Sequence, residues 1–241
     1  MPVKSVRYRK QLEIRGSSGQ PLPVSEAVAK IKEMAAVKSD RTYKNGKRRK
    51  DPDQTMHLVV HLGIDPKQAD QLVRGSLSLP HGTGTTKKVV AFCDGPLMEK
   101  AKAAGAIEAG ADDLIDKITK GWMDFDIAIA HPAMMGKIAK LGRILGPQGK
   151  MPSPKSGTVT ADIETAVREY AAGKLEYRND TGGNVHLPVG KVSFPSPALQ
   201  ENIEAIISHL QRVKPAAAKG MYLKRVCLAG VRTPSVTVSV G

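Results

Sequence analysis

The sequence predicts an α/β protein of two domains: an α+β domain built from both ends of the chain, and an inserted domain with a parallel sheet. The chain has 241 residues, enough for two average domains. In its middle, short apolar runs alternate with helical segments, which is the pattern of βαβ units. Two segments rich in proline and glycine flank this middle region, LPHG at 79–82 and MPSPKSG at 151–157, and such segments are typical of linkers. We therefore predict an outer domain of residues 1–80 and 157–241 around an inserted domain of residues 81–156.

The first outer segment predicts a helix, a basic loop and a strand. Residues 25–36 carry apolar side chains at helical spacing after Ser25, a suitable N-cap. The stretch TYKNGKRRKDPDQ, 42–54, is strongly cationic and contains Asn-Gly and Asp-Pro, so it predicts an exposed loop. The stretch TMHLVVHLG, 55–63, is rich in β-forming residues and ends in glycine, which predicts a strand.

The middle region predicts buried strands at KKVVAF (87–92) and FDIAIAH (125–131), because both are short and apolar. Between them, AAGAIEAG (103–110) and ADDLIDKI (111–118) are predicted to be helical. A helix between two buried strands places the strands in parallel within one sheet.

The second outer segment alternates helices and strands, in the order helix 161–174, two short strands within 175–190, helix 196–213, and strands 221–230 and 235–241. Asp162 stands near the start of the first helix, and Gly173 is placed to end it. Pro197 suits the first turn of the second helix. Neither outer segment has enough apolar residues for a core of its own, so we expect the two to join into one domain.

The charge of the chain is concentrated at its two ends. The formal net charge is +14; residues 1–50 carry +10, residues 81–136 carry −2, and no acidic residue follows Glu204. Basic ends indicate a polyanionic partner, although a charge run is also compatible with a solvated face. Aromatic residues make up 4% of the chain, which disfavours a stacking platform for single-stranded bases. Structured RNA recognised through its backbone and shape fits better, and no helix-turn-helix or zinc finger points to DNA.

A nucleotide-dependent enzyme is the competing class, and the sequence disfavours it. A phosphate loop needs two glycines separated by four residues, followed by Lys and Ser or Thr. In GRILGPQGKM (142–151), Ile144 occupies the first glycine position and Met151 the hydroxyl position. The stretch GTGTTKK (82–88) precedes a strand, so it offers phosphate no helix N-terminus. With no hydrolase, zinc-protease or kinase signature, we expect no catalytic residue and no cofactor.

Metal, disulfide and membrane features are not predicted either. Cys93 and Cys227 are far apart and lack a CxxC pattern, which favours a reducing cytoplasm. His57 and His61 face the same side of a strand without a third ligand nearby, and the acidic cluster at 112–116 is typical of a solvated helix end. No apolar run is long enough to span a bilayer, and the basic N-terminus lacks the apolar segment of a secretory signal.

Four stretches carry a resemblance to a known family. They are GIDPKQADQLVRGSLSLPHGTG (63–84), GWMDFD (121–126), KLGRILGPQGKMPSPKSGTVT (140–160) and YRNDTGGNVHLPVGKVSF (177–194). In this order they resemble the L-one family of large-subunit ribosomal proteins, bacterial type, over nearly the whole chain. The resemblance implies a discontinuous domain with an inserted Rossmann-like, three-layer α/β domain.

The resemblance also implies a function that is not enzymatic. Proteins of this family bind large-subunit rRNA in the mobile stalk, beside the exit site for deacylated tRNA, and help to release that tRNA. Bacterial members also repress translation by binding their own mRNA. We therefore expect a cytoplasmic protein of the ribosome, a monomer outside it, whose partners are large-subunit rRNA, deacylated tRNA and its own operon mRNA, with no membrane partner.

The resemblance places the main RNA surface on the discontinuous domain, with local departures. The family's Glu-Thr-Val-Glu strand is Gln54-Thr55-Met56-His57 here, and its Thr-Met-Gly loop is Val231-Arg232-Thr233. The expected RNA-binding residues are Lys4, Arg7, Lys38, Lys47, Arg48, Arg49, Thr55, His57, Arg178, Asn179, Asp180, Arg225, Val231, Arg232 and Thr233. Expected secondary RNA contacts are Arg143, Lys150 and Lys155, and the expected hinge residues are Pro80, His81, Gly82, Pro152 and Pro154.

Overall fold

The structure is a computed structural model that describes residues 5–16, 20–37 and 52–239. Within these ranges the α-helices are α1 (Val6–Arg15), α2 (Val24–Ala36), α3 (Pro96–Ala103), α4 (Asp112–Thr119), α5 (Met135–Ile138), α6 (Gly142–Leu145), α7 (Ile163–Ala171) and α8 (Ser196–Arg212). The strands of the same ranges are β1 (Thr55–Leu62), β2 (Arg74–Leu77), β3 (Val89–Phe92), β4 (Glu108–Gly110), β5 (Ile127–Ala130), β6 (Leu175–Arg178), β7 (Asn184–Lys191), β8 (Leu223–Gly230) and β9 (Val236–Val238). The predicted α/β class is confirmed.

The described chain divides into two compact units. The first contains the residues up to Val73, then Leu79–Thr83, and those from Arg178 onward. The second contains Arg74–Ser78 and Gly84–Tyr177. Helix α7 was predicted for the outer domain, but it packs on α3 and on the strands β3 and β5, so it belongs to the second unit. The chain therefore returns to the first unit after Tyr177 and not at the predicted position 156.

The first unit is an antiparallel sheet covered on one side by helices. Its strand order is β7-β1-β8-β9, and α2 and α8 pack on it while α1 packs on α2. Along β1 every second residue is buried, as expected for a strand with only one face in the core. The apolar stripe of α8 faces this core, with Leu199, Ile203, Ile206 and Leu210 all fully buried.

The second unit is a parallel sheet of order β4-β3-β5 with helices on both sides. Alternate residues of β3 enter two different cores. Val89 and Ala91 pack with side chains of α3 and α7, whereas Val90 and Phe92 pack with side chains of α4, α5 and α6. The result is a layer of helices on each face of the sheet, and both faces exclude water.

A compact turn follows α6 inside the second unit, where the sequence predicted a linker between the domains. Pro154–Ser156 form a 3-10 helix closed by Gly157, whose φ of 71° is left-handed. The Tyr170 hydroxyl, on α7, donates a hydrogen bond of 2.6 Å to the Ser156 carbonyl. Burial raises the pKa of Tyr170 to about 12, because a phenolate is poorly solvated there.

Other local predictions differ from the structure in three places. The segment 103–110, predicted as a helix, contains the end of α3, a turn at Gly105 with φ of 108°, and the strand β4. Helix α2 begins at Val24 after Pro23, so Ser25 is not its N-cap. Helix α1 was not predicted at all, although Ser5 caps it by accepting a hydrogen bond from the Tyr8 backbone N–H.

Candidate nucleic-acid interface

The sheet of the first unit presents a second face, away from α2 and α8, that carries polar side chains. We call this surface the open face. It consists of the half-buried and exposed residues of the four strands, namely Thr55, His57, Val59, His61, Asn184, His186, Pro188, Lys191, Arg225, Cys227, Ala229 and Thr237. The alternation that buries Met56 and Leu58 is what directs Thr55 and His57 to this side.

One end of the open face is built around Thr55. The Lys191 ammonium donates a hydrogen bond of 3.0 Å to the Thr55 hydroxyl. The Val231 backbone N–H donates to the Thr55 carbonyl at 3.1 Å. The Arg232 backbone N–H donates to the buried Gln54 side-chain oxygen at 3.2 Å. A hydroxyl, a lysine and a backbone turn are thus held together at the start of β1.

The turn after β8 has a fixed backbone and an exposed tip. The Gly230 N–H donates to the Thr233 hydroxyl at 2.8 Å, and the Thr233 N–H donates back to the Gly230 carbonyl at 3.1 Å. A Cβ on Gly230 would come within 3.1 Å of that hydroxyl, so the position favours glycine. Val231 and Arg232 at the tip are exposed, and Val231 retains 62% of its accessible surface. The turn presents an apolar and a cationic side chain to solvent.

The opposite end of the open face is built around Asp180. Its carboxylate accepts hydrogen bonds from the backbone N–H groups of Gly182 at 2.9 Å and Asn184 at 2.7 Å. The bonds from the backbone and side chain of Asn184 lower the pKa of the Asp180 carboxyl below its usual value. The side-chain oxygen of Asn184 lies 2.9 Å from Nδ1 of His61. Asp180 therefore orders the turn that leads into β7.

Residues 178–180 were predicted together as RNA contacts, but their side chains face different surroundings. Arg178 and Asp180 are exposed, whereas Asn179 is buried. The Asn179 side-chain oxygen accepts the Val73 N–H at 2.9 Å, and its amide donates to the Asp180 carbonyl at 3.1 Å. Asn179 thus joins two segments of the first unit, and Arg178 is the cation that this motif exposes.

The predicted residues of the first unit do not converge on one point, and not all of them lie on the open face. Arg7 is on α1, which packs on α2 on the helical side of the sheet, and Asn179 is buried. Thr55 and the 231–233 turn lie at one end of β1, while Arg225 lies beside His61 near the other. Eight strand residues span roughly 25 Å at about 3.3 Å each. The dimensions suit an extended polyanion better than a small ligand.

The secondary contacts predicted in the second unit also differ in their surroundings. Arg143 and Lys155 are exposed. The Lys150 ammonium instead donates to the carbonyls of Met123 at 3.2 Å and Phe125 at 2.5 Å, and lies 5.0 Å from the centre of the Phe125 ring. These contacts direct Lys150 into its own unit, so it is a structural cation and not a free contact for phosphate.

The Rossmann-like sheet offers little to a nucleotide. The loop from β3 to α3 is Cys93-Asp94-Gly95, and α3 begins with Pro96, which has no N–H to donate. Asp94 is an exposed acidic residue two positions before this helix, and its charge would repel a phosphate there. In the described part of the chain, no group of three or more His, Cys, Asp or Glu side chains is arranged to hold a metal ion. None of the described helices has the length and apolar content needed to cross a membrane.

Lys4, Lys38, Lys47, Arg48 and Arg49 lie outside the described residues. Of the expected hinge, Pro152 and Pro154 lie within the second unit, well before the chain leaves it at Tyr177.

The other expected hinge residues, Pro80, His81 and Gly82, lie in the first unit. Asn202 of α8 fixes this segment, because its side chain accepts the His81 N–H at 3.2 Å and donates to the Gly82 carbonyl at 3.1 Å.

Sequence reasoning missed several members of the interface, namely Gln54, His61, Asn184, His186 and Lys191. The period-2 alternation of β1 and β7 carries the signal for three of them, because it assigns His61, Asn184 and His186 to the face that His57 shares. Lys191 breaks that alternation, and it reaches the same face because the pairing of β1 with β7 shifts register between Met56 and His57. Gln54 had no such signal, since its role depends on a partner 178 positions away.

The fold and this face define a class of protein: two α/β units, one with an open sheet face flanked by cations, and the other Rossmann-like without a phosphate loop. The sequence matches the family described as Ribosomal protein L1p/L10e family over residues 27–234, and the chain belongs to that family. It is thereby a large-subunit ribosomal protein that binds rRNA, in a family whose members are structural components.

Proposed function

We propose that the open face of the first unit is the rRNA-binding surface of this protein. The observation that carries the proposal is the distribution of cations on that face. Lys191 and Arg232 flank the Thr55 end, and Arg178 and Arg225 lie toward the Asp180 end. Structured RNA presents phosphates and 2′-hydroxyls along its helices, and these pair with cations, hydroxyls and backbone groups spread over such a length.

Two further groups of basic residues are proposed RNA contacts. Arg143 and Lys155 of the second unit are exposed cations near the glycine-rich stretch 142–149. The sequence KNGKRRK, 44–50, adds five cations and no acid, and we propose that it supplies phosphate contacts.

The finer role follows from the family resemblance. We propose that the chain occupies the mobile stalk in cytoplasmic ribosomes, helps to release deacylated tRNA from the exit site, and is a monomer when free. Translational repression is a second function of the same surface, because an mRNA leader that imitates the rRNA site would meet the same cations.

The test is a binding titration with a stalk fragment of large-subunit rRNA, and in parallel with the mRNA leader, over a series of salt concentrations. Each phosphate contact contributes about 0.7–0.9 to the log–log salt slope. We expect Lys191→Gln and Arg225→Gln each to reduce the slope by about that amount. Neutralising Lys47, Arg48, Arg49 and Lys50 together should reduce the slope by several times that amount.

The matched control is Lys100→Gln, which removes an exposed lysine from α3 of the second unit. It should leave both the affinity and the slope unchanged. If the open-face variants behave like this control, the RNA-binding surface lies elsewhere. If the rRNA fragment binds and the leader does not, the repressor role is wrong while the rRNA role stands.

A further inference from the structure

The open face carries three histidines on two neighbouring strands. His57 and His61 lie on β1 with Val59 between them, and His186 of β7 is the partner of Val59 in the antiparallel register. Diagonal neighbours on paired strands are about 7–8 Å apart. His186 is therefore a diagonal neighbour of both other histidines, and the three imidazoles form a triangle on one surface.

The groups that face this triangle are mainly cationic. From β7 comes Lys191, and from β8 come Arg225, the partner of His61, and Cys227, the partner of Val59. The one carboxylate among the described neighbours is Asp180, whose Oδ2 lies 3.6 Å from Nε2 of His186. Three protonated imidazoles beside Lys191 and Arg225 would make this surface strongly positive. A phosphate group is the ligand whose negative charge would neutralise it.

In the free protein the surroundings of His57 disfavour its protonation. Burial, and then the neighbouring His186 and Lys191, lower the pKa of His57 below its usual value. His57 is therefore largely neutral at pH 7.5. A phosphate placed over the triangle reverses the electrostatic balance, because an anion favours the charged imidazole.

We propose that His57, His61 and His186 form a proton-linked site for the RNA phosphate backbone, so that RNA binding at the open face takes up protons. The inference rests on the proposed function, because it assigns pH regulation to the same face. By linkage, a group whose pKa rises on binding makes the complex tighter as the pH falls. The affinity for RNA thus increases from pH 7.5 to pH 5.5.

The experiment uses the full chain and a fluorescently labelled stalk fragment of large-subunit rRNA, titrated at pH 7.5, 6.5 and 5.5. We expect binding to be several-fold tighter at pH 5.5 than at pH 7.5, since a one-unit rise in a single pKa corresponds to a limiting factor of about ten. Calorimetry at pH 6.5 in two buffers of different ionisation enthalpy counts the protons, and we expect uptake of about one or more per RNA.

The test variant replaces all three histidines by glutamine, which keeps polar side chains on the face without titratable groups. Its affinity should change less than about twofold between pH 7.5 and pH 5.5. The salt slope of the natural protein should be steeper at pH 5.5 by about 0.7–0.9 for each imidazole that contacts a phosphate. A purely structural role for the histidines would not change this slope.

The control is His209→Gln, which removes a half-buried imidazole from the last turn of α8, on the helical side of the same unit. It should keep the full pH dependence. If the triple variant keeps it as well, or if calorimetry finds no proton uptake, the proton-linked site is wrong although RNA still binds. If the natural protein binds the RNA at no pH, the proposed function itself fails.

Discussion

Gln54 and Arg232 are 178 positions apart, and one hydrogen bond of 3.2 Å joins the Gln54 side-chain oxygen to the Arg232 backbone N–H. Gln54 is 6% exposed. This bond attaches the turn after β8 to the residue that precedes β1, beside Thr55. The backbone of the turn is therefore positioned from inside the protein, while Val231 and Arg232 at its tip are exposed.

Replacing Gln54 by alanine should destabilise the first unit by about 1–3 kcal/mol, because the Arg232 N–H would lose a buried partner. RNA affinity should fall as well, since the turn would no longer be held beside Thr55. Urea unfolding followed by circular dichroism measures the first effect, and the rRNA titration measures the second. Asp53→Asn, a change at an exposed neighbour, serves as the control. An unchanged unfolding free energy in Gln54→Ala would contradict this role.

Asn202 has a similar structural role inside α8, where it is fully buried. Its amide donates to the carbonyls of Gly82 and Val189, and its oxygen accepts the His81 N–H. We expect Asn202→Ala to lower the free energy of unfolding of the first unit by about 2–4 kcal/mol, since three backbone groups, one of them the buried Val189 carbonyl, lose their partner.

The neighbouring Glu201→Gln is the matched control for Asn202→Ala. Glu201 pairs with His81 at 2.5 Å, but both side chains are exposed, so the loss should be below about 1 kcal/mol. Trp122, the only tryptophan, lies in the second unit, and its fluorescence is an internal reference. If the unfolding transition of the first unit does not shift in Asn202→Ala, other contacts hold the segment 80–82.

Neutralising Lys150 should affect the stability of the second unit, whereas neutralising Lys155 should affect RNA binding. Lys150→Met removes a cation that two carbonyls and the Phe125 ring hold, so the second unit should lose about 1–3 kcal/mol of stability with little change in RNA affinity. Lys155→Met should leave stability unchanged and reduce the salt slope of RNA binding. Trp122 lies 5.6 Å from the Phe125 ring, so tryptophan fluorescence reports the unfolding. Equal effects of the two variants on RNA binding would refute the distinction.

Tyr170 should make the second unit sensitive to alkaline pH. Its pKa in the fold is about 12, above the value near 10 of an unfolded tyrosine. Because the folded state holds the proton more tightly, this stabilisation is complete below pH 10 and is lost as the pH rises toward 12. Between pH 10 and pH 12 the second unit of the natural protein should therefore lose stability that the Tyr170→Phe variant keeps. The difference between the two losses should reach up to about 2 kcal/mol. The exposed Tyr8→Phe is the control, and identical pH profiles for all three proteins would exclude the effect.

The elements that could be predicted are those whose pattern is local and complete. The strand at 55–62 and the helix at 196–212 follow from alternation and from a helical apolar stripe, respectively. Asp162 also behaves as predicted, since its side chain accepts the Thr165 N–H at 3.2 Å and caps α7. The helix predicted at 103–110 is wrong because the alanines of this segment favour a helix, whereas pairing of β4 with β3 overrides that propensity.

The interface was predictable only in part for the same reason. Thr55, His57 and Arg225 could be named from the chain, and they share one face of a sheet. Lys150 has the same charge as Lys155, but the carbonyls of Met123 and Phe125 that hold it are more than twenty positions away. A one-dimensional pattern cannot distinguish a cation held by its own fold from a cation that faces a partner.

The sequence by itself determined the fold class, the family and the polyanionic character of the partner, because alternation, helical stripes, motif order and net charge are properties of the chain. Tertiary structure alone decided which histidines share a surface, where the chain leaves the second unit, and which buried amides hold the turns. These depend on register and packing between segments distant in sequence. A shift of one residue in the pairing of β1 with β7 would turn His186 to the other face of the sheet.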